Sequence, residues 1–133
     1  MNGSCQCGAV RFTTPTPEPL SLYHCHCIEC RKQSASAFGT SAIFPGFSIA
    51  NEPAIECWTR TTDAGRQLDC YFCKRCGTRV LHQRRGFDVV SVKAGCLDGD
   101  LDWGKASHIW CKRAVVPIPE GAVRFEAQPP ETK

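Results

Sequence analysis

The chain has 133 residues, 42% of them hydrophobic, and a formal net charge of +3. That is the make-up of one ordinary globular domain. It excludes a membrane span, because no apolar run approaches the ~18 residues one needs, and its scattered basic pairs argue against a nucleic-acid-binding stripe.

The outlying number is eleven cysteines. An odd count, and seven cysteines in Cys-x-Cys or Cys-x-x-Cys spacing, point to metal rather than to a disulfide framework. The opening MNGSCQCGAV has neither a basic n-region nor an apolar h-region, so the expected location is the cytoplasm.

Glycine and proline punctuate the whole chain, and no long stretch keeps a helical period. In chain order, AVRFTT (9–14) puts Val10 and Phe12 on one strand face, and PTPEP (15–19) is a loop. LSLYHCHC (20–27) reads as a strand running into candidate ligands, and RKQSASA (31–37) as one short helical turn. FGTSAIF (38–44), AIECWTR (54–60), LDCYF (68–72), TRVLHQ (78–83) and DVVSVKAG (88–95) are further strands. Segment 99–113 reads as loop with a short strand around Ile109, and QPPETK as a frayed tail. GAVRF occurs at 8–12 and again at 121–125, which suggests two similar strands rather than a repeat architecture. The expected fold is a mainly-β single domain of short antiparallel strands over residues 1–126, with a tail at 127–133.

Three clusters supply thiols: Cys5-x-Cys7, Cys25-x-Cys27-x-x-Cys30 and Cys73-x-x-Cys76. Tetrahedral zinc with sulfur at ~2.3 Å needs sulfurs roughly 3.8 Å apart. Residues i and i+2 on a strand face the same way, so Cys-x-Cys can close on one ion. Cys-x-x-Cys does so around a tight knuckle, and Gly77 suits the positive φ that ends one. Joining the two pairs gives a closed site of Cys5, Cys7, Cys73 and Cys76, structural because four thiolates leave no open position.

Cys25, Cys27 and Cys30 then remain with three ligands. Three protein ligands and one exchangeable position is the catalytic pattern, whereas a fourth ligand from His24, His26 or a distant cysteine would make a second structural site. His26, between two ligands on a strand, should point away, and His24 has the ligand parity. An open three-thiolate zinc site carries a formal charge of −1 and activates water poorly. It is better suited to holding an incoming thiol as thiolate. Arg31 and Lys32 follow directly and are candidates for substrate carboxylates.

GSCQCGAVRF, CHCIECRK and FCKRCGT, in this order over residues 3–78, resemble the glutathione-dependent formaldehyde-activating enzyme family, which includes centromere protein V. VVSVKAGCLDG and HIW (108–110) fit weaker features of the same family. The resemblance implies a zinc-binding, tent-like β fold. It implies Cys5, Cys7, Cys73 and Cys76 as structural zinc ligands and Cys25, Cys27 and Cys30 as catalytic ones. It also implies condensation of formaldehyde with glutathione to S-hydroxymethylglutathione, a carbon–sulfur lyase reaction in reverse. The partners are then a small thiol and a small aldehyde. The chain is shorter than the enzyme that gave the family its name, and no glutathione-binding residues stand out in it.

The remaining chemistry-bearing residues have plain readings. Cys57, Cys70, Cys96 and Cys111 match no ligand spacing and are expected to be buried as small apolar groups. His82 reads as a strand residue, His108 and Trp110 as packed side chains, and Glu29 as a surface carboxylate. Asp98, Asp100 and Asp102 lack the spacing of a calcium loop. The competing functional readings are a zinc-knuckle binding module, suggested by Lys74 and Arg75 between two cysteines, and a purely structural zinc domain.

Overall fold

The computed structural model describes residues 1–130. Its strands are β1 (Asn2–Ser4), β2 (Arg11–Thr13), β3 (Ser21–Cys25), β4 (Gly39–Pro45), β5 (Ile55–Thr61), β6 (Gln67–Cys73), β7 (Arg79–Arg84), β8 (Val89–Lys93) and β9 (Ser107–Ile109). One α-helix, α1 (Ile28–Ser34), follows β3, and three single 3-10 turns lie near the C-terminal end. No helix among the described residues is long and apolar enough to cross a membrane.

Seven strands form one sheet in the order β5-β6-β7-β8-β4-β3-β9, and β1 and β2 form a separate hairpin. All pairings are antiparallel except β3 with β9, which is parallel and matches His24 with His108. The strand alternation explains the packing. Ala42 and Phe44 on β4 face Val92 and Val90 on β8, all essentially inaccessible. Leu81 on β7 lies beside Val92, and Val10, Ile49 and Leu97 complete this core. Phe12 lies directly over Gly3, where any Cβ would collide with its ring. Close packing of this kind leaves little room for substitution in the core.

Two expectations need correction. Cys57 is exposed, not buried, because β5 is the edge strand of the sheet and most of its side chains meet solvent. The second GAVRF copy forms no strand: it contributes one isolated bridge, Arg124 with His108, and its Val123 is exposed where Val10 is fully buried. The last stretch is nevertheless tied down in part. The Trp110 N–H donates to the Ala127 carbonyl (3.2 Å) and its indole to Gln128 Oε1 (3.1 Å). Residues 131–133 of the expected tail lie outside the described residues.

Candidate metal centres and substrate cleft

The β1–β2 hairpin and the β6–β7 turn bring two pairs of cysteines together. After β1 the chain turns through Cys5-Gln6-Cys7-Gly8, and after β6 through Cys73-Lys74-Arg75-Cys76-Gly77. Both turns close on a glycine with positive φ, Gly8 at 81° and Gly77 at 81°. In each, a backbone N–H faces a sulfur: Val10 N–H to Cys5 Sγ (3.3 Å) and Arg75 N–H to Cys73 Sγ (3.4 Å). Gln6 N–H donates to Thr78 Oγ1, stitching the turns together.

The four sulfurs lie within 4.8 Å of one another, with Cys5–Cys7 at 3.6 Å and Cys7–Cys73 at 3.8 Å. Those separations suit a tetrahedral ion held by sulfur. Thr78 Oγ1, 3.1 Å from Cys76 Sγ, and backbone N–H groups hold that thiol down to about 5. One ligand is therefore already a thiolate at neutral pH, as metal binding requires.

Cys25, Cys27 and Cys30 form the second group, also within 4.8 Å of one another. Cys25 ends β3, Cys27 caps α1 by accepting the Cys30 N–H (3.3 Å), and Cys30 sits in the first turn of the helix. Hydrogen bonds from the Cys25 and Cys30 thiols hold Cys27 well below the ordinary thiol range, while Cys27 and Cys30 together push Cys25 up. Cys27 is the thiol that ionises first, and a metal ion arriving there would displace the other two protons.

Neither candidate histidine joins these sulfurs. His24 Nε2 donates to the Trp103 carbonyl (2.9 Å), and its Nδ1 lies 2.8 Å from Thr40 Oγ1. His26 points away from the sulfurs, is fully buried, and places Nε2 2.9 Å from His108 Nδ1. His26 stacks on His108 with ring centroids 5.2 Å apart, and His24 and His26 each lie about 5 Å from the Phe38 ring, edge-on or tilted. Burial depresses His26 and His108, so both favour the neutral form. Cys70 is buried on β6, between Trp58 and His82 in the sheet register, and belongs to neither group.

Beside Cys30 the sheet and α1 enclose a cleft of about 290 Å³. The helix side supplies Cys30, Glu29 and Lys32. The sheet side supplies Trp58 and Arg60 from β5 and Arg79 and His82 from β7. Of the pair Arg31 and Lys32, only Lys32 lines this cleft. Arg31 faces the other side of the helix and donates to the Arg113 carbonyl (3.3 Å). Lys93 is buried on the same side of the sheet, with Nζ 3.3 Å from Ser41 Oγ. Burial lowers its pKa, and the Cys30 and Cys25 thiols counter that shift. His108 and Trp110 lie outside the cleft.

Trp58, Arg60 and Arg79 carry no local motif that marks them in the sequence. The available signal was a tryptophan and an arginine two residues apart on one strand face.

A mainly-β domain with one closed set of four thiols and one set of three beside a cleft is the class of protein defined here. The glutathione-dependent formaldehyde-activating enzyme family matches residues 1–113, and the chain belongs to that family. A Halomonas elongata protein, provisionally named a glutathione-dependent formaldehyde-activating enzyme, is 29% identical over 109 residues, which is 76% of this chain and 68% of the relative. A crystal structure of a Rhodobacter sphaeroides protein superposes with a TM-score of 0.58 at 23% identity, over 81% of this chain and 99% of that one. That likeness speaks to the fold.

Proposed function

We propose that the chain is a zinc-dependent carbon–sulfur lyase that joins a thiol to a small aldehyde, with glutathione and formaldehyde as the first candidates, and releases them in reverse. The observation that carries this reading is the grouping of the sulfurs. Four form a closed set, three form a set beside a cleft, and the nearest histidines are engaged elsewhere.

Both donor sets fit zinc, which prefers thiolate sulfur in tetrahedral array. Cys5, Cys7, Cys73 and Cys76 would hold a structural ion, and Cys25, Cys27 and Cys30 a second one with a position left for substrate. Zinc bound by three thiolates would keep an incoming thiol deprotonated and nucleophilic at neutral pH. The chain's own part is to orient the thiol in the cleft and to bring the aldehyde carbon against its sulfur. The S–C bond forms as the carbonyl π pair moves to oxygen, and that oxygen takes the proton the thiol lost. Thiol and aldehyde thus combine with no other reactant. Buried Lys93 supplies positive charge near a centre that three thiolates make negative. Residues 1–126 are read as the working unit, in the cytoplasm.

Cobalt substitution tests the reading. Addition of glutathione should intensify the cobalt–thiolate charge-transfer band in a saturable way, and Cys27→Ala should abolish that change. A spectrum indifferent to glutathione and to other small thiols would reject the proposal.

A further inference from the structure

We propose that Arg60 and Arg79 are the specificity-determining residues of the cleft, reading a carboxylate on the thiol substrate while its sulfur reaches the Cys30 end. This rests on the thiol-binding reading above and names the residues that select among thiols.

The sequence draws attention to Arg31 and Lys32, yet Arg31 is turned away and Lys32 is exposed at the rim. Arg60 and Arg79 are half-buried in the cleft wall, where a charge is screened less than at the surface. Among the described residues, no carboxylate lies within salt-bridge distance of either arginine or of Lys32. Glu29 is the one acidic residue lining the cleft and pairs with none of them. Three cations therefore face one carboxylate across a space large enough for a small molecule.

Arg79 is also held in place. One guanidinium N–H donates to His82 Nε2 (2.9 Å), and the guanidinium lies 5.8 Å from the Trp58 ring centre. His82 is buried, and burial keeps it neutral, so its Nε2 serves as a fixed acceptor. An arginine has five N–H donors, and this contact uses one. Arg79 enters from the row of Phe72 and reaches back over Trp58, two positions before Arg60 on the same face of β5. Both guanidiniums thus address one stretch of the cleft. A planar guanidinium fixed beforehand is well matched to a carboxylate and loses little freedom on binding it.

The test compares glutathione with its diethyl ester, the same thiol with both carboxylates masked, on the cobalt-loaded full chain. Half-saturation of the charge-transfer band should need at least tenfold more ester than glutathione. Arg60→Gln and Arg79→Gln should each raise the glutathione requirement roughly tenfold and leave that of the ester unchanged. Two cobalt ions per chain in each variant would show intact centres, and if Arg79→Gln does not fold, Arg60→Gln alone decides. Equal binding of ester and glutathione, or variants that weaken both alike, would overturn the assignment while leaving the thiol reading in place. If neither thiol changes the wild-type spectrum, the thiol reading fails and this assignment fails with it.

Discussion

Cys30 and Gly39 are in contact across the junction of α1 and β4. A Cβ placed on Gly39 would lie 3.4 Å from Cys30 Cβ, 3.7 Å from the Cys30 carbonyl oxygen and 2.9 Å from Gln33 Nε2. Gly39 is also the β4 partner of Cys25. One glycine therefore sets how closely the helix bearing Cys30 lies against the strand pair bearing Cys25, which fixes the gap between two sulfurs of the triad. Gln33 can swing aside, so Gly39→Ala should be tolerated. Gly39→Val adds two methyl groups that only a movement of the helix can accommodate, costing about 1–3 kcal/mol. Metal analysis of Gly39→Val should find one ion per chain instead of two, the survivor being that of Cys5, Cys7, Cys73 and Cys76. Retention of both ions would show that the helix position does not control the triad.

The two cysteine sets should fail differently. Cys73→Ala removes a ligand from the set that ties the N-terminal hairpin to the β6–β7 turn, so the fold itself should suffer, with a Tm lower by roughly 10 °C or more. Cys27→Ala loses an α1 cap worth about 0.5–1 kcal/mol and one triad ligand. Its circular dichroism and sheet content should match the parent while one metal ion is lost. Thermal melts and metal content on the same preparations decide it. Equal destabilisation by both substitutions would make the triad a structural centre as well.

The sheet was legible because its strands alternate: the segments around 39–45, 55–61, 67–73, 79–84 and 89–93 each carry apolar residues at every second position or a solid apolar run. The cysteine sets were legible because a metal fixes ligand spacing over two or three residues, which a local pattern can display. The cleft was not. Trp58, Arg60, Arg79 and His82 come together only through the β5-β6-β7 pairing and through a helix laid over it. Nor was the histidine stack, because His26 and His108 are 82 residues apart and meet through the parallel pairing of β3 with β9. Cys57 misled for a related reason: nothing in AIECWTR says that its strand is the edge.

His24 offers a direct check on the fourth ligand of the triad. With Nε2 on the Trp103 carbonyl and Nδ1 against Thr40 Oγ1, its ring joins β3, β4 and the 3-10 turn at Trp103–Lys105. His24→Ala should lower stability by about 1–3 kcal/mol, because both partners lose a hydrogen bond in a buried place. Two metal ions per chain should remain, as measured by inductively coupled plasma analysis. Loss of the triad ion at unchanged content of the other would make His24 a ligand after all.

Acid should destabilise the fold through its buried histidines, and the sign follows from which state binds the proton. Burial holds His82 well below the ordinary histidine value, and Lys93, Arg79 and Arg60 add repulsion against its charged form. Burial lowers His26 and His108 as well. Below about pH 6.5 the unfolded chain takes up protons at these residues and the folded chain does not. The unfolded state binds more protons, so stability is full above that pH and falls as pH drops toward the depressed values. Each histidine contributes up to about 1.4 kcal/mol per pH unit in that window. His82→Gln, whose Oε1 can still accept from Arg79, removes one of them without touching a metal ligand. Urea midpoints at pH 7 and pH 5.5 should therefore differ less in His82→Gln than in the parent, by roughly 1 kcal/mol once multiplied by the m value. An identical acid loss in both proteins would leave it to His26, His108 and the cysteine ligands, with no part for His82.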